Sequence, residues 1–491
     1  MAKSDTRSAD TQRLGGRVRA LRRKQNLTQA QLAQRLDISA SYLNLIEANH
    51  RPLPAPLLLQ LAQLFHLDLA TFAPSEDARL LSELLEVFSD PLFDAGDISS
   101  TDLRELAQGN PAVVRGVLDL YRAFRAARAS SEAIAARVAA GEEGTGDVLP
   151  AMVPSEEVSD LFQERSNYFP ELEAGAEALG KKAKLSLDDR FAGLSRHALK
   201  AHGIEVRMVR PVALGGALRR YDPSTKVLSL SEILPTRTRS FEVAHQLALI
   251  QERATLDRAA DHSRLSNPES KALARVALAN YFAGAVLMPY APFLAAAREE
   301  RYDIDVLGRR FGVGFEQVCH RLTTLRRPKA EGIPFHMLRI DMAGNLSKRF
   351  SASGIRFARF SGACPRWNIF QAFMTPGMIR IQISRMPEGN MFFCLARTIQ
   401  KDSGGFHDPQ PVLALGLGCQ VQYAREMVYS DGMDLENFEV ATPVGVTCRL
   451  CERTNCEQRA FPSLRHPLRI DENVHRASLY SGDTLKLPLA T

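Results

Sequence analysis

An apolar stretch of the kind found in secretory leaders is missing from the first residues, which are polar and charged, so we expect no leader. The sequence also lacks an unbroken apolar run that could span a bilayer. The one charge-free stretch of sufficient length is 276–297, and its Asn280 and two prolines favour a buried helix that ends near Met288. With seven cysteines, an odd number, we expect a protein of the reducing cytoplasm without a disulfide framework.

A strong net charge is absent as well, since the 491 residues carry only +6. The length exceeds what one hydrophobic core supports, so we expect about three domains. The excess of positive charge is concentrated at the N-terminus, where residues 1–73 contain ten basic and five acidic side chains. That concentration favours a polyanionic partner, and the alternative is a solvated helix face.

Five short segments near the N-terminus have apolar residues at helical spacing, which predicts a small all-α domain over residues 1–75. Thr28 is expected to cap a helix over 29–36. Ser39 is expected to cap the next helix, over 40–48. Two short helices with so brief a connection are typical of a helix-turn-helix. The alternative is a small helical bundle that binds another protein.

The segment TQAQLAQRLDISASYLNLIE, residues 28–47, resembles the XRE/Cro-repressor type of helix-turn-helix. In such a unit the N-terminal part of the second helix enters the major groove. The side chains expected to face the bases or the neighbouring phosphates are Ser39, Ala40, Ser41, Tyr42 and Asn44. Those expected to contact phosphate are Gln29, Arg22 and Arg51.

Residues 76–150 are predicted to form a helical connector with amphipathic faces at 80–88 and 118–124, and a linker at 141–150. Paired helices of this kind commonly dimerise. Because a symmetric operator needs paired readers, we expect a homodimer or a higher homo-oligomer. The alternative is that these helices only pack onto the next domain.

A broken metal-binding motif occupies residues 240–250, SFEVAHQLALI. A zinc peptidase helix needs H-E-x-x-H, in which two histidines hold the metal and the glutamate activates a water. His245 is present, but Gln246 replaces the glutamate and Leu249 replaces the second histidine. Because glutamine is no base and leucine no ligand, we predict no catalytic residue and no enzyme. His245 is then expected to be a hydrogen-bonded core histidine.

The segment ANYFAGAVLMP, residues 279–289, resembles the ImmA/IrrE peptidase family. That family places its third zinc ligand, a glutamate, shortly before the Ala-Asn pair, where this sequence has Val276, Ala277 and Leu278. The resemblance implies a zincin-like α+β domain without its zinc ligands, which we expect over residues 151–330.

A cleft without catalysts can still bind a ligand. Leu249 and Val276 would make this cleft more apolar, which suits an acyl chain. A coenzyme A ligand also needs cations for its phosphates and an aromatic surface for adenine. Arg165 and Tyr168 are candidates for these roles. The alternative is an ordinary surface arginine beside a packed tyrosine.

Residues 331–475 have a different pattern, in which short alternating runs predict strands of an α+β domain, followed by a tail at 476–491. A hairpin turn is predicted at 387–390. The predicted strands are Met337–Met342, Ile379–Ser384, Met391–Ile399 and Val412–Leu417. The whole chain is thus expected to be multidomain and mainly α, with an α+β C-terminal part.

Three cysteines, Cys448, Cys451 and Cys456, have the spacing C-x2-C-x4-C, which can bring three thiolates around one centre. A fourth soft ligand would complete a tetrahedral zinc site or a 4Fe–4S cluster. Candidates for it are Cys364, in the turn-like SGACPRW, and also Cys394 and Cys419. One linear trio with one distant cysteine favours iron–sulfur over zinc. The alternative is free or core cysteines.

The four parts together resemble the short-chain fatty acyl-CoA regulator family, the RamB/PrpR-like bacterial transcription factors. The segments that carry the resemblance are SASYLNLIE, RPL at 51–53, AHQLAL, ANYFAGAVLMP, SGACPRWN and VTCRLCERTNC. The resemblance implies a DNA-binding regulator of propionate or acetate metabolism with a short-chain acyl-CoA effector. It also implies a 4Fe–4S cluster on Cys364, Cys448, Cys451 and Cys456. The alternatives are a redox-sensing iron–sulfur regulator without acyl-CoA, a metallopeptidase-type regulator and a phage-type repressor.

Overall fold

The chain divides into two compact units, which are described separately. One comprises Met1–Thr145 with Ala358–Ser361, and the other comprises Gly146–Phe357 with Gly362–Thr491. The predicted linker at 141–150 lies outside the described residues, as does the predicted tail apart from Ser478 and Tyr480. The computed structural model describes residues 15–65 except 26, 49 and 52; 74–139 except 91, 94–97 and 99; 154–400 except 188 and 359–362; 410–463; 478; and 480.

The first unit begins with four short helices around a small apolar core that contains Leu32, Leu43 and Leu61. Both predicted caps are confirmed. The Thr28 side chain accepts a hydrogen bond from the backbone N–H of Gln31 in a capping box, and Ser39 accepts one from that of Tyr42. The helices are α1 (Gly15–Lys24), α2 (Gln29–Arg35), α3 (Ala40–Glu47) and α4 (Ala55–Leu64).

Three further helices of this unit share a second apolar core. They are α5 (Pro74–Val87), α6 (Ser100–Gly109) and α7 (Pro111–Ala139). This core is formed by one face of each helix and includes Leu84, Leu103 and Leu118. The amphipathic faces predicted for the connector are therefore present, although Leu120 and Phe124, predicted to lie on such a face, are exposed.

The second unit starts with a helical layer and a three-stranded mixed sheet, whose strands were not predicted from the sequence. In this sheet β1 pairs with β3 in parallel and β2 pairs with β3 in antiparallel fashion. The strands are β1 (Glu205–Val209), β2 (Arg219–Asp222) and β3 (Val227–Ser231). The helices are α8 (Pro154–Glu164), α9 (Pro170–Lys182), α10 (Arg190–His202), α11 (Thr236–Gln251), α12 (Arg253–Ala260), α13 (Pro268–Leu287), α14 (Tyr290–Glu299), α15 (Ile304–Arg310) and α16 (Phe315–Thr323).

The apolar stretch at 276–297 is divided between two helices, as its prolines predict. α13 ends at Leu287, and α14 begins at Tyr290 after Pro289. Among the described helices, none alone has the length and hydropathy of a membrane span, and only the pair α13–α14, bent by 66°, passes such a test jointly. Most of the side chains on the C-terminal half of α13 are buried in the main core of the unit.

A six-stranded sheet follows, in the order β5-β4-β8-β7-β6-β9, antiparallel except for the short β6–β9 pair. The four predicted strands are confirmed, as is the turn at 387–390, where Met386 N–H donates to the Asn390 carbonyl at 2.9 Å. The elements are β4 (His336–Ile340), β5 (Leu346–Ser351), α17 (Asn368–Gln371), β6 (Arg380–Arg385), β7 (Met391–Gln400), β8 (Val412–Gln420) and β9 (Thr442–Pro443).

One buried ion pair joins three helices of this unit. Arg321 of α16 donates to both carboxylate oxygens of Glu173 on α9, at 2.6 and 2.9 Å, and both side chains are 2% exposed. Tyr281 of α13 donates to the same carboxylate at 2.6 Å. The Arg321 Nε–H also donates to the Met288 carbonyl at 2.9 Å. Both charges of this pair therefore have partners, which is the condition for tolerating such a pair.

We predict that Glu173→Gln destabilises the fold by about 3–5 kcal/mol, because it leaves the Arg321 charge buried without a counter-charge. Scanning calorimetry of the full chain measures the change as a lower melting temperature. The matched control is Glu299→Gln, which removes an exposed partner of Arg310 and is expected to cost less than about 1 kcal/mol. Equal shifts for the two variants would contradict the prediction.

Candidate functional site

The residues predicted to contact DNA, apart from Arg22, lie at the start of α2, in α3 and in the chain on either side of α3. Ser39, Ala40, Ser41, Asn44 and Arg51 are exposed, whereas Tyr42 and Gln29 are half-buried. Gln29 Nε2 donates to Asn44 Oδ1 at 3.2 Å, and the Arg51 guanidinium lies 5.8 Å from the Tyr42 ring centroid. The N-terminal part of α3 thus presents short polar side chains beside a cation, as groove recognition requires.

Arg22, predicted from sequence to contact phosphate, instead has an internal role. Its Nε and Nη2 donate to the buried carboxylate of Glu47 at 2.7 and 2.9 Å, and its Nη1 donates to the Leu27 carbonyl at 2.9 Å. Gln29 donates to the same carboxylate at 2.8 Å. Burial alone would raise the Glu47 pKa, but the bonds from Arg22 and Gln29 outweigh burial and hold the pKa below its ordinary value. This network fixes α3 against α1 and α2.

The broken peptidase motif lies on α11, where His245 and Gln246 are buried and Leu249 is half-buried. Arg219 of β2 donates to Nδ1 of His245 and lies 3.2 Å from a carboxylate oxygen of Glu242. The other side of the ring is hydrogen-bonded to the Val276 backbone. Burial, and then the Arg219 charge, lower the His245 pKa to about 3. His245 is therefore a neutral, hydrogen-bonded core histidine, as predicted.

Arg219 was not identified from the sequence, because nothing in the segment RRYD marks it as a partner of α11. Its fixed positive charge beside His245 disfavours a metal cation at the same nitrogen. Within the described ranges, no three His, Cys, Asp or Glu side chains form a group that could hold a metal ion. Val276, expected to make this cleft more apolar, is 42% exposed, and its backbone is hydrogen-bonded to His245.

The two residues predicted to bind coenzyme A lie close in sequence but in different surroundings. Arg165 is exposed, whereas Tyr168 is half-buried. The Tyr168 hydroxyl accepts a hydrogen bond from Arg327 Nε at 3.1 Å, and the Arg327 guanidinium lies 4.2 Å from the Tyr290 ring centroid. A guanidinium between two tyrosine side chains is thus present. Arg327 and Tyr290 could not be found from sequence, because they follow Tyr168 by more than 100 residues.

The predicted cysteine site lies beside the six-stranded sheet. The Cys364 N–H donates to the Val446 carbonyl at 3.1 Å, which brings Cys364 to the segment of the trio. The pKa of Cys364 is raised by burial and, further, by the charges of Cys448 and Cys451, so these three groups are electrostatic neighbours. The sulfurs do not converge as a ligand group among the described residues. The four-cysteine cluster therefore stays a prediction.

The donor chemistry around these cysteines is compatible with an anionic thiolate cluster. The buried Arg459 donates to the carbonyls of Cys448 and Cys451 at 2.7 and 2.8 Å, which holds the loop in place. Arg453 Nη1 lies 4.0 Å from Cys451 Sγ. One guanidinium, that of Arg453, therefore lies beside a thiol, and positive charge stabilises thiolates.

The alternative fourth ligands lie within the sheet. Cys394 of β7 is buried, with Sγ 3.7 Å from His336 Nε2, and burial raises its pKa to about 12. Cys419 of β8 is fully buried, with Sγ 3.8 Å from Met427 Sδ. Both thiols have packing partners in strands, whereas Cys364 lies in a loop next to the trio. The structure thus favours Cys364 among the three candidates.

We predict that His245 makes the fold less stable as the pH falls from about 6.5 toward about 4. The buried ring has a pKa of about 3 against an ordinary value of 6.5. The unfolded state therefore binds a proton first in this window, so acidification favours unfolding. His245→Gln keeps an acceptor for Arg219 without the titration, and its melting temperature should fall less steeply with pH.

Thermal melts across this pH window measure that slope. His50→Gln, a change at an exposed histidine, is the matched control and should retain the slope of the wild-type chain. A slope for His245→Gln identical to that of the wild-type chain would refute the prediction.

Three family models match successive parts of the chain. They are Helix-turn-helix over residues 18–72, IrrE N-terminal-like domain over 199–323, and Short-chain fatty acyl coenzyme A regulator, C-terminal, over 324–480. A solved structure titled Mycobacterium tuberculosis transcriptional regulator is 42% identical with a TM-score of 0.65, and the match covers 67% of this chain and all of that one.

Two curated relatives match almost the whole chain. The HTH-type transcriptional regulator RamB of Mycobacterium tuberculosis is 38% identical over 95% of this chain and 98% of its own length. The Propionyl-CoA carboxylase regulator of Cereibacter sphaeroides is 40% identical over 93% of this chain and 96% of its own. Since these relatives are regulators, the prediction that the chain is a DNA-binding regulator and not an enzyme is confirmed. The chain belongs to the short-chain fatty acyl-CoA regulator family of helix-turn-helix transcription factors.

Proposed function

We propose that this regulator controls genes of propionate or acetate metabolism and responds to a short-chain acyl-CoA. The observation that carries the proposal is the peptidase-like helix α11, on which Arg219 is bonded to His245 and Gln246 stands at the position of the motif's glutamate. Such a domain can bind a ligand but has lost the groups that would cleave it. The relative named as a propionyl-CoA carboxylase regulator supports this substrate class. Operator DNA as partner makes the cytoplasm the expected location.

The coenzyme A part of the effector requires cations and an aromatic surface. The cluster of Arg327, Tyr168 and Tyr290 supplies a guanidinium and the half-buried ring of Tyr168. The Tyr290 ring, with its centroid 6.0 Å from that of Tyr168, is itself buried. The exposed Arg165 lies three residues before Tyr168 and adds a second cation. Guanidinium groups bind phosphates through paired hydrogen bonds. We therefore assign the coenzyme A moiety to this cluster.

The effector would act by shifting the equilibrium between two arrangements of the DNA-binding domains. The two helix-turn-helix domains of a dimer, here called the reading heads, would have two arrangements. If an acyl-CoA binds one arrangement more tightly than the other, the free energy of operator binding changes by that difference. Coupling of about 1–3 kcal/mol corresponds to a change of about 5–150-fold in operator affinity. The reading head itself is held by the Glu47 network, so the change concerns the placement of the heads.

The proposal predicts that propionyl-CoA or acetyl-CoA changes operator affinity at least about fivefold, whereas free coenzyme A has a smaller effect. Fluorescence anisotropy with the promoter DNA of the protein's own target operon measures this. Arg165→Ala with Arg327→Gln should abolish the response while DNA binding without effector persists. Asn44→Ala should weaken DNA binding at every effector concentration. No change in affinity with any short-chain acyl-CoA would reject the effector.

We also propose that Cys364, Cys448, Cys451 and Cys456 hold a 4Fe–4S cluster, with zinc as the alternative. Support comes from the C-x2-C-x4-C spacing, the Cys364–Val446 backbone bond and the neighbouring Arg453 and Arg459 side chains. A bound cluster would supply a redox-active group and a covalent tie across the loop. In the rival function, a redox sensor without acyl-CoA, oxidation alone would change operator binding.

Anaerobically purified protein is expected to contain about four iron and four sulfide ions per chain and to show the visible absorbance of an iron–sulfur cluster. Cys364→Ser should lose most of the iron, whereas Cys419→Ser, in the sheet core, should retain it. Stoichiometric zinc without iron would establish the alternative metal. Retention of full iron by Cys364→Ser would remove Cys364 from the ligand set.

A further inference from the structure

The helix α7 is much longer than the helices that pack on it. Its 29 residues span about 44 Å, whereas the 14 residues of α5 span about 21 Å. The inner face of α7, with Val114, Leu118 and Tyr121, is buried in the core shared with α5 and α6. α7 thus extends beyond the length that α5 can cover. Only one face of α7 contributes to this core.

A second apolar face of α7 is open to solvent. Val113 is 53% exposed, Leu120 72% and Phe124 37%, and Val117 between them is half-buried. Large apolar side chains exposed in a row are costly in water and mark an interaction surface. We call this row, Val113 to Phe124, the outer stripe.

The spacing of the outer stripe has the period of a coiled coil. Its residues are separated alternately by four and three positions, and the sequence continues this alternation to the end of the helix. The eight positions are Val113, Val117, Leu120, Phe124, Ala127, Ser131, Ile134 and Val138. A repeat of 3.5 residues keeps one seam facing a partner helix along a left-handed supercoil, whereas the 3.6-residue repeat of a simple core face would drift around the helix.

We propose that α7 pairs with α7 of a second copy of this chain as a parallel two-stranded coiled coil along the outer stripe. The pattern is self-complementary, because identical seams bring Leu120 against Leu120 and Val117 against Val117 of the two copies. The exposed small residues Gly116 and Ala123 flank the seam and allow close approach.

The parallel orientation follows from what the first unit carries. The helix-turn-helix lies in the same unit as α7, and each head can recognise one half-site. Half-sites one helical turn apart are separated by about 34–36 Å. Parallel helices place both heads at the same end of the coil, whereas antiparallel helices would separate them by about the 44 Å length of α7. The inferred surface is therefore the axis of the DNA-binding dimer.

Sedimentation equilibrium of the full chain, without DNA or acyl-CoA, tests the pairing. The wild-type chain should dimerise, and Leu120→Glu with Phe124→Glu should weaken self-association at least about a hundredfold, because charges would enter the seam. Both positions are exposed within the chain, so circular dichroism melts should remain those of the wild type. Val212→Glu, a charge at another apolar residue with 91% exposure, should leave the dimer intact.

A second pair of variants tests the register. Leu120→Glu and Leu120→Lys should each be monomeric alone and should form a heterodimer when mixed, since the two side chains meet in a parallel coil. A dimer that survives the double glutamate variant, or a mixture that stays monomeric, would overturn the proposal. Because no effector is present, these results do not depend on the acyl-CoA function. A dimer without an acyl-CoA response would leave the pairing established and reject only the effector.

Discussion

Arg321 carries a positive charge where water does not reach, and the second unit is arranged around this constraint. Glu173 supplies the counter-charge from α9, and Tyr281 of α13 donates its hydroxyl to the same carboxylate. The Met288 carbonyl and the Thr324 hydroxyl accept further bonds from the guanidinium. Met288 lies where α13 stops and the chain turns into α14. The guanidinium therefore satisfies a carbonyl at a helix end, where intrahelical partners run out. Arg321 thus holds α9 in place relative to the bend between α13 and α14.

The elements that the sequence predicts are those whose determinants are local. The caps at Thr28 and Ser39 depend on a side chain and an N–H three residues away, and the turn at 387–390 on one glycine-containing segment. Strands β1–β3 lack such markers. β1 has an exposed, irregular pattern. β3 pairs in parallel with β1, although β2 lies between these two strands in the sequence. Pairing of this kind is decided by tertiary packing, which no short window contains.

The candidate sites show the same difference between features with local determinants and features that depend on the fold. The lost ligands of α11 could be predicted because the motif is contiguous. The spacing of the cysteine trio is equally local, and the cluster on it stays a prediction. The partner of His245 could not be predicted, because Arg219 comes from a strand 26 residues earlier and only the fold brings them together. The buried partner of Arg22 was missed for the same reason. A basic residue near a DNA-reading helix suggests phosphate, yet a buried glutamate 25 residues later takes up its charge. An arginine on His245 also explains how a metal-binding helix remains stable without its metal, since the guanidinium satisfies the imidazole.

The Glu47 network has a consequence for how operators evolve. Glu47 is the last residue of α3, and its carboxylate is bonded to Arg22 of α1 and to Gln29 at the start of α2. Gln29 in turn is bonded to Asn44, a predicted base-reading residue. A mutation of Asn44 that alters base preference therefore also weakens the Glu47 network, which braces the domain. New operator specificity in this lineage is consequently easier to reach through Ser41 or Ala40, which have exposed side chains outside this brace.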